Sequence, residues 1–228
     1  MISIGILWLI VVSCLAQTAP APTLDDVLKK MDATAASFRS LQADFVWDQY
    51  EKVVDDHDLQ KGTVYYRRNG QNIEMMAEVR DPAPKFVLYK GGKLQVFQPP
   101  PKANQVMEYA TGNNRSEIES YLGLGFGASA EDIKKSFDVT SLGLQTVDGM
   151  PTVELQLLPK SDKLRNNISK IYLWIDMGRG ISVQQQFFQP QGDYRLAKYL
   201  NVKMPAKMGD DVFKLKTDKK TQFISPRG

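Results

Sequence analysis

The chain holds one cysteine, Cys14, and one histidine, His57. A Cys/His zinc site, a disulfide framework and a Cys–His or Ser–His catalytic pair all need more than that. Glu117 and Glu119 stand two apart in a helical pattern, so they do not face each other as an acid–base pair must. Asp55-Asp56-His57-Asp58 offers oxygens to a hard cation, but the alternation and the distant glutamate of a calcium loop are missing. A solvated hairpin turn accounts for it. Gly123-Leu-Gly-Phe-Gly127 has neither the spacing of a dinucleotide loop nor a following Lys-Ser/Thr, and it follows a helical pattern rather than a strand. It reads as a joint between two short helices. Trp47, Trp174, Phe187 and Phe188 fall in strand patterns beside Asp48, Asp176 and glutamines, not in the basic groove that single-stranded nucleic acid needs. Lys plus Arg (29) exceed Asp plus Glu (26) by only three over 228 residues, too little for a polyanion-binding surface. The expectation is therefore a binding protein rather than an enzyme, with no catalytic residue, no metal, no cofactor and no nucleic-acid partner.

The elements that position these residues follow from periodicity. Apolar residues at 43% and charged ones at 24% describe an ordinary folded chain. Thr23 with Asp26 forms a capping box, and behind it Leu24, Val27, Leu28, Met31, Ala35 and Phe38 recur at helical spacing. From Leu41 the period changes to two. Asn69-Gly70 and Gly91-Gly92 mark hairpins, and Pro99-Pro100-Pro101 ends a strand because it has no amide donors for a ladder. Ser116 with Glu119 and Ser129 with Asp132 are further capping boxes, opening two short helices around the glycine-rich joint. Strands resume at Phe137–Leu142, Thr152–Leu158, Ile168–Asp176, Ile181–Gln189 and Asp193–Met204. About eleven strands on short turns predict one wide antiparallel sheet, and a twisted open sheet of that width curls. A closed barrel or sandwich with incidental helices fits the same strand count.

Residues 2–12 are an uncharged apolar run, too short to span a bilayer but long enough for a signal-peptide core. Cleavage after Ala16 leaves an exported domain over 17–228. Val11-Val12-Ser13-Cys14 also resembles a lipobox, the competing reading, with lipidation of Cys14. Along FVLY, LQVF, VELQL and YLWI both strand faces are apolar, and three short helices cover only part of such a surface. A remaining groove in an exported protein suits an apolar ligand.

The sequence resembles the LolA-type outer-membrane lipoprotein carriers and lipoprotein-sorting proteins. The resemblance runs from the opening helix through Leu41-Gln-Ala-Asp-Phe45, Gly62–Arg68, Tyr89–Pro99, Tyr121–Phe126 with Asp132–Phe137, Leu155–Lys160 and Ile171–Asp176. It implies an α+β fold: a curved antiparallel sheet forming an unclosed β-barrel with an α-helical lid over an apolar cavity for acyl chains. The implied role is a periplasmic, monomeric carrier between an inner-membrane donor and an outer-membrane acceptor. The other implied role is a lipid-anchored or lipid-sensing member that does not shuttle. Cavity candidates chosen by alternation are Phe45, Trp47, Tyr65, Leu88, Val96, Leu155, Leu173 and Val183, and alternation leaves open which face points inward. Ile118, Tyr121, Leu122, Leu124 and Phe126 are the implied lid residues. Arg68 matches the family arginine that latches the lid, although Asn69 stands where the family has proline. The family's C-terminal extension is not matched beyond Lys216.

Overall fold

The computed structural model describes residues 21–69, 72–112 and 115–226. The expected signal peptide over 1–16, with Cys14, lies outside them.

Helix α1 (Leu24–Ser37) starts at the anticipated capping box: the Asp26 amide donates to the Thr23 hydroxyl oxygen, and the Thr23 amide donates to the Asp26 carboxylate. Six strands then form a meander: β1 (Ser40–Glu51), β2 (Asp56–Asn69), β3 (Asn72–Asp81), β4 (Lys85–Lys90), β5 (Lys93–Gln98) and β6 (Gln105–Ala110). Helices α2 (Arg115–Gly123) and α3 (Ala130–Ser136) follow. A second meander comprises β7 (Phe137–Val147), β8 (Met150–Pro159), the short α4 (Asp162–Arg165), β9 (Lys170–Asp176), β10 (Ile181–Phe188) and β11 (Tyr194–Lys203). β11 pairs with β1, so the two meanders fuse into one sheet, ordered β12-β6-β5-β4-β3-β2-β1-β11-β10-β9-β8-β7, where β12 is Gln222–Ile224. All neighbours are antiparallel except β12, which lies parallel to β6. β7 and β12 end the row without meeting, so the sheet is not closed. Bulges at 42–44, 61–62, 141–143 and 182–184 bend its strands.

Three sequence expectations shift. Asp56, His57 and Asp58 belong to β2, in register with Glu51, Tyr50 and Gln49; the turn lies just before them, with Asp55 at φ +50°. Ser116 sits inside α2 rather than capping it. β7 runs on to Val147, because Gly143 (φ +96°) absorbs a bulge where a stop was expected.

One face carries nearly all the core. Ile171, Leu173 and Ile175 of β9 and Val153, Leu155 and Leu157 of β8 are completely buried against α1, α3 and the joint between α2 and α3. Leu41, Ala43 and Phe45 of β1 continue this inner face into a second cluster with Phe38, Tyr66, Tyr89 and Tyr199. The outer face has one small cluster, where Phe213 from the C-terminal segment covers Met76 and Leu88. No helix among the described residues is long and apolar enough to cross a membrane.

Candidate functional site: a glycine-jointed lid on the inner face

The lid is the connection between the two meanders. Its middle is a double turn, with the Leu124 amide donating to Tyr121 O (3.2 Å) and the Phe126 amide to Gly123 O (3.0 Å). Gly125 and Gly127 hold φ +77° and +80°, a left-handed backbone that side chains resist. Space enforces the same choice. A Cβ on Gly125 would stand 2.4 Å from Ser182 Cβ, and one on Gly127 would stand 2.8 Å from the Phe38 ring. The glycines let the joint lie directly on β10 and Phe38.

Between them the joint lowers two side chains onto the sheet. Leu124 enters the aliphatic cluster and Phe126 the aromatic one, where its ring lies 5.9 Å from Tyr66 and 4.7 Å from Tyr199. Ile118 and Leu122 pack half-buried against the aromatic cluster, and Tyr121 against the aliphatic one. All five expected lid residues therefore face the sheet.

The joint is held by hydrogen bonds from β10. The Ser182 amide donates to Gly125 O (2.9 Å) and the Gln185 side chain to Leu124 O (2.7 Å); Tyr199 donates in turn to the Gln185 oxygen (3.3 Å). α2 is tied to the sheet where Tyr89 donates to Glu119 (2.9 Å), and Arg115 bonds both Glu119 and Asn72. The Ala130 amide that opens α3 donates to Asp32 of α1 (2.6 Å). Burial raises the pKa of Tyr89, helped by the Glu119 carboxylate, and burial likewise raises that of Tyr199. Both stay neutral hydrogen-bond donors.

Arg68 makes no hydrogen bond to the lid among the described residues. It lies beside Tyr66, whose buried hydroxyl makes no hydrogen bond. Burial pushes that hydroxyl up to about 12, against the pull of the Arg68 guanidinium. The hydrogen bonds that hold the joint come instead from Gln185 and Ser182, which sequence reasoning did not single out. The only sequence hint is that Gln184-Gln185-Gln186 interrupts an apolar strand; that Gln185 is buried, at 4% exposure, is seen only in the fold.

The cavity candidates divide. Phe45 and Trp47 stack on the inner face with centroids 4.0 Å apart. Leu155 and Leu173 lie on it under α1 and the joint. Val96 pairs with Val87, which packs against the aromatic cluster, so Val96 shares the inner face. Val183 is buried in the β10 bulge. Tyr65 and Leu88 face outward instead, beneath Phe213, Met208 and Val212. Both faces of β2 and β4 are apolar because the C-terminal segment covers the outer one, and alternation could not say which side was which.

The expected hollow is not preformed. Leu124 and Phe126, 2% and 5% exposed, fill the inner face with their own side chains. Two pockets among the described residues lie elsewhere: one of about 350 Å³ at the Arg39–Arg68 end of the sheet, and one of about 300 Å³ between α2, Phe137 and α4. The physical reason is that an empty apolar cavity in water exposes surface that the protein's own side chains can cover. Among the described residues no group of three or more His, Cys, Asp or Glu is placed to hold a metal, and His57 bonds Asp48 (2.8 Å) on an exposed hairpin.

No protein-family model and no curated protein sequence matches the chain. Solved structures do. An uncharacterized conserved protein from Thermus thermophilus superposes with a TM-score of 0.55 at 11% identity, covering 89% of this chain and 98% of that one. MucB superposes with a TM-score of 0.52 at 15% identity, covering 87% of this chain and 64% of MucB, so this chain spans less than two thirds of that protein. A LolA superfamily protein from Nitrosomonas europaea is also similar, at TM-score 0.42 and 16% identity, covering 86% and 99%. At such identities the first two likenesses are of fold alone. The open curved sheet with helices laid on its inner face is the architecture that the sequence resemblance implied.

Proposed function

We propose that the protein is an exported, periplasmic carrier that takes the acyl chains of lipoproteins beneath its lid and delivers them toward the outer membrane. The observation that carries this reading is the plug. Two apolar side chains on a glycine-flanked joint occupy the inner face, and few hydrogen bonds hold them there. Burying a Leu or Phe side chain is worth about 1.5–3 kcal/mol, so the plug contributes about 3–6 kcal/mol. An acyl chain of ~15 methylenes gains ~12 kcal/mol on burial. The chain therefore displaces the plug, while the plug suffices to keep the empty protein closed. Loading needs a donor at the inner membrane, and release runs downhill to an acceptor that binds more tightly. An anchored or sensing protein that keeps its ligand is the second reading, and it rests on the Cys14 lipobox.

Titration with the neutral apolar probe N-phenylnaphthylamine, followed by competition with a triacylated lipopeptide, tests the proposal. Saturable probe binding that the lipopeptide displaces is expected. A wild-type protein that binds neither removes the acyl-chain reading.

A further inference from the structure

The pocket of about 350 Å³ lies at one end of the sheet, and no step of lid movement uses it. Three parts of the chain build it. Arg39 stands at the corner between α1 and β1. Arg67 and Arg68 close β2 beside it: Ser40 is in register with Arg67, and the Arg68 amide donates to Arg39 O at 2.9 Å. Lys207 arrives on the segment after β11. That segment is fixed where the Ser40 hydroxyl donates to Pro205 O (2.5 Å) and Arg67 donates to Met208 O (2.9 Å).

Charge in this pocket does not cancel. Arg67 is matched by Glu74 and Asp210. Arg39, Arg68 and Lys207 have no carboxylate partner among the described residues, and Arg39 spends one guanidinium nitrogen on the carbonyls of Ala36 and Phe38. Gathering unpaired cations around one concavity disfavours each of them and favours an anion between them. Guanidinium forks match the oxygens of phosphate, whereas a single carboxylate is satisfied by one fork. The weak overall charge conceals this local excess.

We infer that the Arg39–Arg68–Lys207 pocket is a binding subsite for a phosphate group, carried on a lipid headgroup or free in solution. Arg68 is in register with Ile73, which packs in the inner-face cluster with Tyr66, and the Tyr66 ring contacts Phe126 of the joint. A headgroup held here has its acyl chains next to the lid. That extension rests on the acyl-chain reading; the anion subsite does not.

The test compares wild type with the double variant Arg39→Gln/Lys207→Gln. Both side chains are exposed and neither is in an ion pair among the described residues, and a thermal melt confirms folding. Calorimetry with inorganic phosphate reads the free ion. Flotation with vesicles of phosphatidylglycerol in phosphatidylcholine, against phosphatidylcholine alone, reads the headgroup. The double variant is expected to bind about tenfold more weakly or worse, the loss of a charge-assisted hydrogen bond or more. Binding of phosphate alone assigns a free ion, and preference for phosphatidylglycerol vesicles alone assigns a lipid. A wild-type protein that responds to neither, or a variant that binds as well as wild type, overturns the subsite. N-phenylnaphthylamine reads the acyl site separately: its failure to bind while phosphate binds sinks the carrier reading and leaves the subsite standing.

Discussion

The inner face has two halves that are covered in different ways. Across β7–β9 the cover is α1, α3 and Leu124 of the joint, and the buried cluster is mostly aliphatic, with Val27, Leu28, Met31 and Ile133 against Val153, Leu155, Leu157, Ile171, Leu173 and Ile175. Across β1–β4 and β11 the cover is the joint and α2, and the cluster is aromatic and dotted with polar atoms: Tyr66, Tyr89 and Tyr199 lie there, with Gln185 bonded to Tyr199. Aliphatic packing on a well-capped helix has no polar group to satisfy elsewhere. The aromatic half keeps its polar atoms satisfied only while the joint is in place, and not even then for the Tyr66 hydroxyl. On the proposed acyl-chain reading, the aromatic half is the one that opens.

The strongest way to break this comparison is a matched pair of deletions. Leu155→Ala is expected to cost about 2–5 kcal/mol and Phe126→Ala about 3–5 kcal/mol in chemical denaturation. Only Phe126→Ala should gain affinity for N-phenylnaphthylamine, because only it uncovers the openable half. Equal gains in both variants would erase the distinction.

Next in size, Gln185→Leu strands Leu124 O and the Tyr199 hydroxyl and is expected to cost about 1–3 kcal/mol. Hydrogen exchange should quicken at residues 124–127 and stay unchanged at 171–175. Arg68→Leu, in the same measurement, should alter stability by no more than about 0.5 kcal/mol. A larger effect for Arg68→Leu than for Gln185→Leu would return the latch to the arginine.

Tyr66→Phe removes a buried hydroxyl without a partner and is expected to stabilise the protein by about 1 kcal/mol, visible as a higher denaturation midpoint. A loss of stability would mean that the hydroxyl is satisfied after all.

The smallest effect concerns the C-terminal segment on the outer face. Its hydrogen bond from Arg67, reinforced by that residue's charge, holds the Asp210 carboxyl below its usual 3.8. A depressed folded pKa means that this contribution is present above pH 3.8 and is lost as pH falls through the lower folded value. Limited proteolysis at residues 206–213 should therefore accelerate in acid before the sheet melts. An acid-indifferent cleavage rate would detach the segment's stability from that ion pair.

Much of the fold was legible because its signals are local. The Thr23–Asp26 and Ser129–Asp132 boxes open helices where expected, and Ile171–Asp176 alternates as an inner strand should. Asp56-His57-Asp58 was misread because composition marks it as a turn, while its register opposite β1 is a tertiary fact. The five apolar residues that the resemblance implied for the lid pack against the sheet. The hydrogen bonds that hold the joint were not legible, because Gln185 and Leu124 meet across 61 positions and a glutamine in a strand usually faces water. The outward placing of Tyr65 and Leu88 depended on Phe213, whose partners lie far back in the chain.

The lid also has no loose end. It is strung between β6 and β7, which belong to different meanders, so it cannot swing free like a flap and can only bow outward between two anchors. Unwinding supplies slack for that bow: a residue leaving a helix lengthens the span from about 1.5 Å to at most roughly 3.5 Å. On the proposed carrier reading, a bulkier guest draws on more of α2 or α3, which ties the size limit of the cargo to the cohesion of two short helices.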